Sequence, residues 1–500
     1  MSPAMALWVP LAGAVLIALA GRWPNLRETV TLVTTLTLVV VVAAVGIDVW
    51  EGARPYAHFA QPFPGIAIAF AVEPLGMLFA GIASLLWIVN SIYSIGYMRG
   101  NQEKHQTRFY VCFAVSIAGA MGIAFSANLF TLFLFYEVLT LATYPLVAHK
   151  GDADTIASAR VYLGILLTTS IGLLLPAIIW VYVTVGTVDF VPGGVLAADP
   201  SFVPRGILEG TIEGPALGLL LALFVFGVGK AAVMPVHRWL PAAMVAPTPV
   251  SALLHAVAVV KAGVFTLLKV IVYIFGIDYL FEQHTADWLL WIAAFTILAA
   301  SIVALRQTNL KRMLAYSTVS QLSYVVLAAA VLKPLSEVGA AVHMVSHAFG
   351  KITLFFAAGA IYVASKKTEL AQLAGIGRRM PWTMAAFTVG ALTMIGVPPT
   401  GGFVSKWYIL AGAFQSDNYL AIFTVILSTA LNAAYFLPVV YAAWLLPEGE
   451  APKQDHGEAP WPMVLALTTT AALSVLFFFF NAPVLELEYR VVEPWPGVVP

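Results

Sequence analysis

The stretch from Phe226 to Lys269 constrains this chain more than any other part of its sequence. It places two lysines, Lys230 and Lys261, inside apolar runs that are long enough to cross a membrane. A lysine at the centre of a bilayer is costly, so such residues usually face the interior of a helix bundle or a wet cavity. Pro235 follows shortly after Lys230, and because proline removes a backbone donor, the first helix must break there. Buried charges beside interrupted helices are typical of transporters.

The composition of the whole chain agrees with this pattern. Of its 500 residues 61% are hydrophobic and 10% are charged, whereas soluble domains carry about 25% charged residues. Cys112 is the single cysteine, too few for an iron–sulfur cluster, a structural zinc or an internal disulfide. There is no dinucleotide-binding fingerprint or phosphate loop. We therefore expect an all-α polytopic membrane protein with no cofactor and no bound metal, whose partners include the lipid bilayer and not nucleic acid.

The apolar runs predict 14 membrane spans. The first is interpreted as a span and not as a cleaved signal, because no basic segment precedes it. A spanning helix needs about 20 mostly apolar residues, which places the spans at 5–20, 28–47, 70–96, 109–126, 128–148, 158–184, 216–237, 249–275, 287–305, 314–332, 337–364, 382–412, 418–446 and 463–481.

The basic residues predict the orientation of these spans. Most of the 25 lysines and arginines lie in loops that follow odd-numbered spans, whereas loops after even-numbered spans hold only Arg54, Arg205 and Lys333. The acidic loop around Lys453 follows an odd-numbered span. Because cytoplasmic loops are enriched in lysine and arginine, we expect both termini on the outer side of the cell inner (plasma) membrane.

Few charges fall inside the spans. Glu137 is the only carboxylate deep within an apolar run, while Glu28, Glu73 and Glu337 lie near span starts, where a helix N-terminus tolerates them. The basic residues inside spans are Lys230, Lys261, Lys269, Lys351 and Lys406, with three histidines, His255, His343 and His347.

The chain also shows a weak internal symmetry. Span 7 carries Lys230 ahead of a proline break, and span 12 carries Lys406 after Pro398-Pro399 and Gly401-Gly402. Corresponding broken helices in two halves indicate an inverted repeat. We expect two inverted five-helix repeats, spans 4–8 within residues 109–275 and spans 9–13 within 287–446, flanked by a three-span segment at 1–108 and a C-terminal segment at 447–500.

Several motifs in order resemble the proton-translocating antiporter-type subunits shared by Mrp cation/proton antiporters and respiratory complex I. They are YEVLTLATYPLV, GKAAVMPVHRWLPAAMVAPTPVSALLHAVAVVKAG, NLKRMLAYSTVSQLSY, HAFGKITLFFAAGAIY and GVPPTGGFVSKW. The resemblance runs from about Phe109 to about Trp444 and implies 14 helices with broken helices 7 and 12. The chain length resembles the shorter members, the D subunit of Mrp antiporters or the M and N subunits of complex I, and a lysine at position 406 argues against the M subunit.

The resemblance also implies which residues relay protons. Glu137 matches the acid of span 5 and Lys230 its pairing partner in span 7. Lys261 matches the central lysine of span 8, Lys351 and His347 the polar pair of span 11, and Lys406 the terminal base of span 12. Accessory candidates are His255, His343, His237 and Gln321.

Plainer interpretations stand beside these roles. Glu137 could be a neutral carboxyl that ties helices together, His343 a core histidine, and His237 an ordinary residue of a basic cytoplasmic loop. Lys269 lies close to the outer end of span 8, where its stem can reach the interface, and is interpreted as structural. His255 and Lys261 do not share a face of a regular helix, so they could serve one path only if span 8 bulges.

Three functions follow from the residues and the resemblance. The first is a proton-conducting subunit of a multisubunit cation/proton antiporter of the Mrp type, with other membrane subunits as partners, and H⁺, and further Na⁺ or K⁺, as ions. The second is an ion-pumping subunit of a redox enzyme such as an NADH:quinone oxidoreductase or a membrane-bound hydrogenase, or of an inorganic-carbon uptake complex. The third is a self-sufficient transporter of a small anion that binds at the broken helices.

Overall fold

The computed structural model describes residues 1–190, 206–448 and 457–492. Arg205 and Lys453, and with them parts of two predicted loops, lie outside these ranges. The helices are α1 (Met5–Leu19), α2 (Pro24–Trp50), α3 (Pro74–Gly100), α4 (Gln106–Ala124), α5 (Leu129–Val147), α6 (Ala153–Thr169), α7 (Leu175–Val185), α8 (Gly214–Gly227), α9 (Trp239–Ala242), α10 (Val259–Lys269), α11 (Ile277–Gln283), α12 (Asp287–Leu305), α13 (Leu310–Ala330), α14 (Pro334–Ser365), α15 (Pro381–Ile395), α16 (Gly401–Gln415), α17 (Tyr419–Leu445), α18 (Trp461–Phe479) and α19 (Ala482–Val492).

In the described part of the chain, 12 helical stretches are long and apolar enough to cross a membrane, which confirms the polytopic helical class. One of them runs through α6 and α7, which are joined by a π-helical turn at Ser170–Leu174. Another is Val250–Phe275, in which α10 has a π-helical segment on either side. The two shorter apolar helices α8 and α15 stand where broken spans 7 and 12 were predicted. The count of 14 spans and the inverted repeats stay predictions.

A two-stranded antiparallel hairpin, β1 (Tyr56–Phe63) and β2 (Ile66–Ala71), was not predicted. It replaces the start of predicted span 3, because the apolar run at its second strand fits a strand as well as a helix and α3 begins only at Pro74. The hairpin packs on the start of α5, where Asn128 Nδ2 donates to the Ala67 carbonyl at 2.8 Å. The side of the bundle that carries it is called the hairpin end below.

The stretch Val250–Phe275 and helices α13 and α14 form the centre of the bundle. All 26 residues of the first are buried, and α13 and α14 are buried over most of their length. The outer helices α1, α2, α17 and α18 expose large apolar side chains such as Trp8, Val40, Tyr441 and Phe479. Such a surface suits contact with lipid chains or with other membrane proteins.

Two breaks interrupt the bundle beside this centre. α8 ends at Gly227, earlier than the predicted break at Pro235. Gly227 passes so close to the turn at Leu174 that an added Cβ would lie 2.5 Å from the Leu174 backbone nitrogen, so only glycine fits there. Lys230 therefore lies in a short 3₁₀ turn and not in a helix. The second break separates α15 from α16, and Gly396 after α15 has a φ of +86°, a left-handed conformation that favours glycine.

Candidate functional site

Lys230 is fully buried in the first break and is bound to the neighbouring helix α5. Its Nζ donates to the Tyr136 carbonyl at 2.8 Å and to Thr140 Oγ1 at 2.5 Å. The same Nζ lies 3.1 Å from the centroid of the Tyr136 ring, a cation–π contact. The ammonium is thus held by α5 through the residue before Glu137 and a residue one turn after it.

Glu137 itself is close to Lys230 but does not contact it. Both of its carboxylate oxygens are buried and have no hydrogen-bond partner, and no ion pair within 4.0 Å joins the two side chains. The direct pair implied by the family resemblance is therefore absent from this conformation, because Lys230 is already bound by the carbonyl and hydroxyl oxygens of α5. The carboxylate is near enough to act on Lys230 through its charge.

Lys261 lies at the centre of the bundle and contacts His347 of α14. Its Nζ is hydrogen-bonded to His347 Nδ1 and donates to the Ala256 carbonyl at 2.6 Å. Ala256 belongs to the π-helical segment Val250–Ala258, and π turns often occur at functional sites. An amine and an imidazole in a hydrogen bond can exchange a proton directly.

His343 continues this line along α14. Its ring is stacked against His347, with centroids 5.9 Å apart, and against Tyr324, with centroids 5.3 Å apart. His343 Nδ1 is 2.9 Å from Ser405 Oγ on α16. The two histidines therefore connect the central lysine to the second broken helix, next to Lys406.

Lys351 begins a second line of polar contacts. Its Nζ donates to Ser317 Oγ at 2.6 Å, and Ser317 Oγ lies 2.8 Å from the Tyr435 hydroxyl, to which it can donate its own proton. The Tyr435 hydroxyl is also hydrogen-bonded to Asn432 Oδ1 one turn earlier on α17. These groups come from α13, α14 and α17, and all are buried.

Lys406 closes the second line. Its Nζ donates to the carbonyls of Met394 and Ile395 at 3.2 and 2.8 Å, and to Thr429 Oγ1 at 3.0 Å. Those carbonyls end α15, where the break leaves them without helical partners and where the helix dipole favours a cation. The Asn432 amide donates to the same Met394 carbonyl at 3.2 Å. Lys351 and Lys406 are thus joined through shared donors and acceptors.

The accessory candidates are less well connected. His255 is buried between Tyr162 and Trp239, and neither ring nitrogen has a partner. Span 8 does bulge around it, yet His255 makes no hydrogen bond to Lys261. Gln321 is buried with both amide atoms unpartnered, and His237 lies half-buried in the 3₁₀ turn Val236–Arg238.

The expectation that the stem of Lys269 reaches the interface is wrong. The side chain does not reach the interface, but is fully buried and forms an ion pair with Glu73 from the start of α3. The list of buried acidic residues is also longer than predicted, because Glu337 is 3% exposed and Glu488 is 2% exposed. Helix starts predicted to be near the interface are covered by neighbouring elements.

Sequence reasoning also missed the neutral groups that connect the lysines. Ser405, Asn432 and Tyr435 all hydrogen-bond across helices within the bundle. The signal that could have found them is a hydroxyl or amide in the middle of an apolar span, since such groups usually bond to another helix.

A bundle of this kind, with an enclosed central stretch and two broken helices that carry buried lysines, defines a class of ion-translocating membrane subunits. Residues 126–432 match the family described as NADH:quinone oxidoreductase/Mrp antiporter, transmembrane. Because this match covers more than half of the chain, the chain belongs to that family.

Individual relatives agree with the assignment. The chain is 31% identical over 456 residues to the N subunit of the NADH-quinone oxidoreductase of Desulforudis audaxviator, covering 88% of each chain. It is 24% identical over 494 residues to the D subunit of the Na⁺/H⁺ antiporter of Alkalihalophilus pseudofirmus, covering 97% of this chain and 95% of the relative. Its fold is similar to a chain of the Mrp complex of a Dietzia species, with a TM-score of 0.84 and 22% identity over 98% of this chain and 96% of that one.

Proposed function

We propose that this chain is a proton-translocating subunit of a multisubunit cation/proton antiporter, similar to the D subunit of Mrp antiporters. The observation that carries the proposal is a set of buried lysines in and beside the two broken helices. Lys351 and Lys406 are joined by hydrogen bonds, and Lys261 reaches Ser405 of α16 through His347 and the stacked ring of His343. Its partners are other membrane subunits of the same complex. That complex transports H⁺ in exchange for Na⁺ or K⁺.

The relay uses Glu137, Lys230, Lys261, His347, Lys351 and Lys406. Each lysine is bound by oxygen atoms that accept hydrogen bonds from an ammonium group. Lys261 also contacts an imidazole, which can accept a proton. Within a low-dielectric interior, the charge on one site changes the proton affinity of its neighbour. When a proton leaves Lys261 for His347, the positive charge moves with it, so proton uptake is favoured at sites beside Lys261 and proton release at sites beside His347. Water fills the gaps that the side chains leave.

A second candidate function is an ion-pumping subunit of a redox-driven complex. The observation in its favour is the 31% identity to the N subunit of an NADH-quinone oxidoreductase. In that case the same relay is driven by electron transfer in partner chains, and not by a gradient of metal cations.

The topology is part of the proposal. We place the chain in the cell inner (plasma) membrane with both termini outside, because lysine and arginine are concentrated in the loops after odd-numbered spans. The two half-channels are residues 109–275 and 287–446, each containing one broken helix and a buried lysine beside the break.

The experiment is purification of the intact complex through a tag on this chain, followed by reconstitution into liposomes with an internal pH dye. For an antiporter we expect Na⁺ or K⁺ addition to move protons without an electron donor. A redox-driven pump moves protons only when its electron donor is supplied.

Glu137→Gln removes the proton-binding carboxylate at constant shape, and Glu282→Gln, on an exposed side chain, is the control. Wild-type transport by an assembled Glu137→Gln complex contradicts the relay.

A further inference from the structure

Three carboxylates and one lysine meet at the hairpin end of the bundle. Glu73 precedes the first residue of α3, Glu337 lies in the first turn of α14, and Glu488 lies on the C-terminal helix α19. Lys269 forms an ion pair with Glu73 and donates to the Ser126 carbonyl at 2.7 Å. Glu73 is therefore compensated by a cation, and the other two are not.

Glu337 and Glu488 are buried without such a partner. Both oxygens of Glu337 and Oε1 of Glu488 have no hydrogen-bond partner, and in the described ranges no cationic side chain lies within 4.0 Å of either carboxyl. Both residues line one small cavity of about 10 Å³, room for about one water molecule. The rest of its wall is apolar and comes from Leu75, Leu268, Val272, Val338 and Val491.

The chemistry of this cavity favours a proton over a metal ion. An ionised carboxylate in apolar surroundings without a partner is so costly that the group binds a proton instead. A metal cation would need several more oxygen ligands than two carboxyl groups can present, and the remaining wall offers only apolar side chains. Burial, and after it the charge of Glu73, raises the pKa of Glu488 to about 8.

The cavity also lies in line with the relay. Lys269 is eight residues after Lys261 on α10, which corresponds to about 12 Å along a helix. Leu268, next to Lys269, forms part of the cavity wall. The far side of the cavity is closed by α19, which is tied to the end of α2 where Arg490 Nη1 donates to the Trp50 carbonyl at 2.8 Å.

We propose that Glu337 and Glu488 form a proton-holding pair that receives protons by way of Lys269 and Glu73 and releases them to water at the hairpin end. The inference rests on the proposed function and names its release site. In each cycle one carboxylic acid gives its proton to water and becomes a carboxylate, and it then takes the next proton from the Lys269 side, where Lys269 and Glu73 share it. Tyr273, which faces Glu73, and Arg54, whose charge acts on Tyr273, are further titratable and charged groups beside this path.

The test compares Glu337→Gln/Glu488→Gln with Glu486→Gln in the tagged, reconstituted complex. Glutamine keeps the shape of the side chain but cannot release a carboxyl proton. Glu486 lies two residues from Glu488 on the same helix, has a 44% exposed side chain and pairs with Arg490, so its substitution is a matched control. We expect the double variant to lose proton transport by about tenfold or more, as when an acid–base group is removed, and Glu486→Gln to keep the wild-type rate. A well-assembled double variant with wild-type transport overturns the inference.

A second readout separates this inference from the proposed function. In infrared spectra of the purified complex, a protonated-carboxyl band should be present at neutral pH, fade as the pH is raised past about 8, and be missing from the double variant. Equal spectra for the wild type and the double variant overturn the proton-holding pair, whatever the transport rates. If Glu137→Gln stops transport while the double variant is normal, the release site is wrong and the relay stands. If Glu137→Gln is fully active, the relay is wrong and the infrared titration alone decides on the pair.

Discussion

At the scale of single residues, the interior lysines share one property. In the described part of the chain, Lys230, Lys261, Lys351 and Lys406 are all buried, and none has a carboxylate within 4.0 Å. Their ammonium groups are held by carbonyl, hydroxyl and imidazole acceptors instead. A lysine readily changes its protonation state when it is buried, whereas an arginine stays charged. The residue type therefore matters as much as the charge.

Lys406→Arg tests this point. The substitution keeps the positive charge beside the end of α15, but arginine does not deprotonate in proteins. We expect proton transport by the reconstituted complex to fall about as far as in Lys406→Ala, by about 10²-fold if the group acts as an acid–base relay. Subunit content and thermal stability must match those of the wild type. Near-normal transport by Lys406→Arg would show that Lys406 acts only through its charge.

His347→Gln tests the contact at the centre of the bundle. Glutamine can still hydrogen-bond to Lys261 but cannot carry a proton, so we expect assembly to be normal and transport to be lost by about tenfold or more. His284→Gln is the control, because His284 is exposed. Equal rates in the two variants would remove His347 from the path.

At the scale of elements, the broken helices are held by very close backbone contacts. Gly263 of α10 faces the break that carries Lys230, and a Cβ at Gly263 would lie 2.2 Å from the backbone nitrogen of Ala231. This backbone contact holds the turn that carries Lys230 against α10, and it involves no side-chain hydrogen bond between the two elements. The position of the lysine therefore depends on a glycine in another element.

Gly263→Ala should consequently displace the break. We expect a loss of stability of about 1–3 kcal/mol, the usual cost of overpacking a core, together with impaired transport. Gly164→Ala on α6 is the control, because an added Cβ there meets no atom within 4 Å. Thermal unfolding of both purified variants measures the difference, and equal melting temperatures would contradict the close approach.

The hydrogen-bonded line between Lys351 and Lys406 depends on α17. Tyr435→Phe keeps the ring but removes the hydroxyl that joins Ser317 to Asn432, and the lost hydrogen bonds are worth about 1 kcal/mol each. We expect a several-fold slower transport rate with normal assembly. Tyr441→Phe on the exposed face of the same helix should leave the rate unchanged. If both variants transport alike, protons bypass this line through water.

At the scale of the whole molecule, the sidedness of the bundle can be measured with its single native cysteine removed. In a Cys112→Ser background, Glu282→Cys should react with a membrane-impermeant thiol reagent in intact cells, because its loop follows an even-numbered span. Lys150→Cys, after span 5, should react only once the cells are opened. Both positions are exposed. The reverse pattern of labelling would invert the proposed orientation.

Much of this architecture depends on patterns within short stretches of the chain, and it could therefore be predicted from the sequence. The proline and glycine pairs around 398–402 predict a break, and the apolar runs predict spans. What could not be predicted is what distant segments do to one another. The burial of Glu488 depends on α19 packing over α3 and α14, and the pairing of Lys269 depends on Glu73 arriving from another helix. The hairpin was missed because the apolar run of its second strand was joined to that of α3, although Pro74 marks the start of the helix.

The four buried lysines described above affect which cations can enter the interior of the bundle. A sodium or potassium ion there would meet four ammonium sites held by neutral acceptors, and one nearby carboxylate, Glu137, beside Lys230. Two unit charges 4 Å apart repel by about 4 kcal/mol at an effective dielectric constant of about 20. In the proposed relay the same lysines accept and release protons, so the charge that would reject a metal cation would also carry the proton. The proposed relay would thus act as a filter that needs no narrow pore.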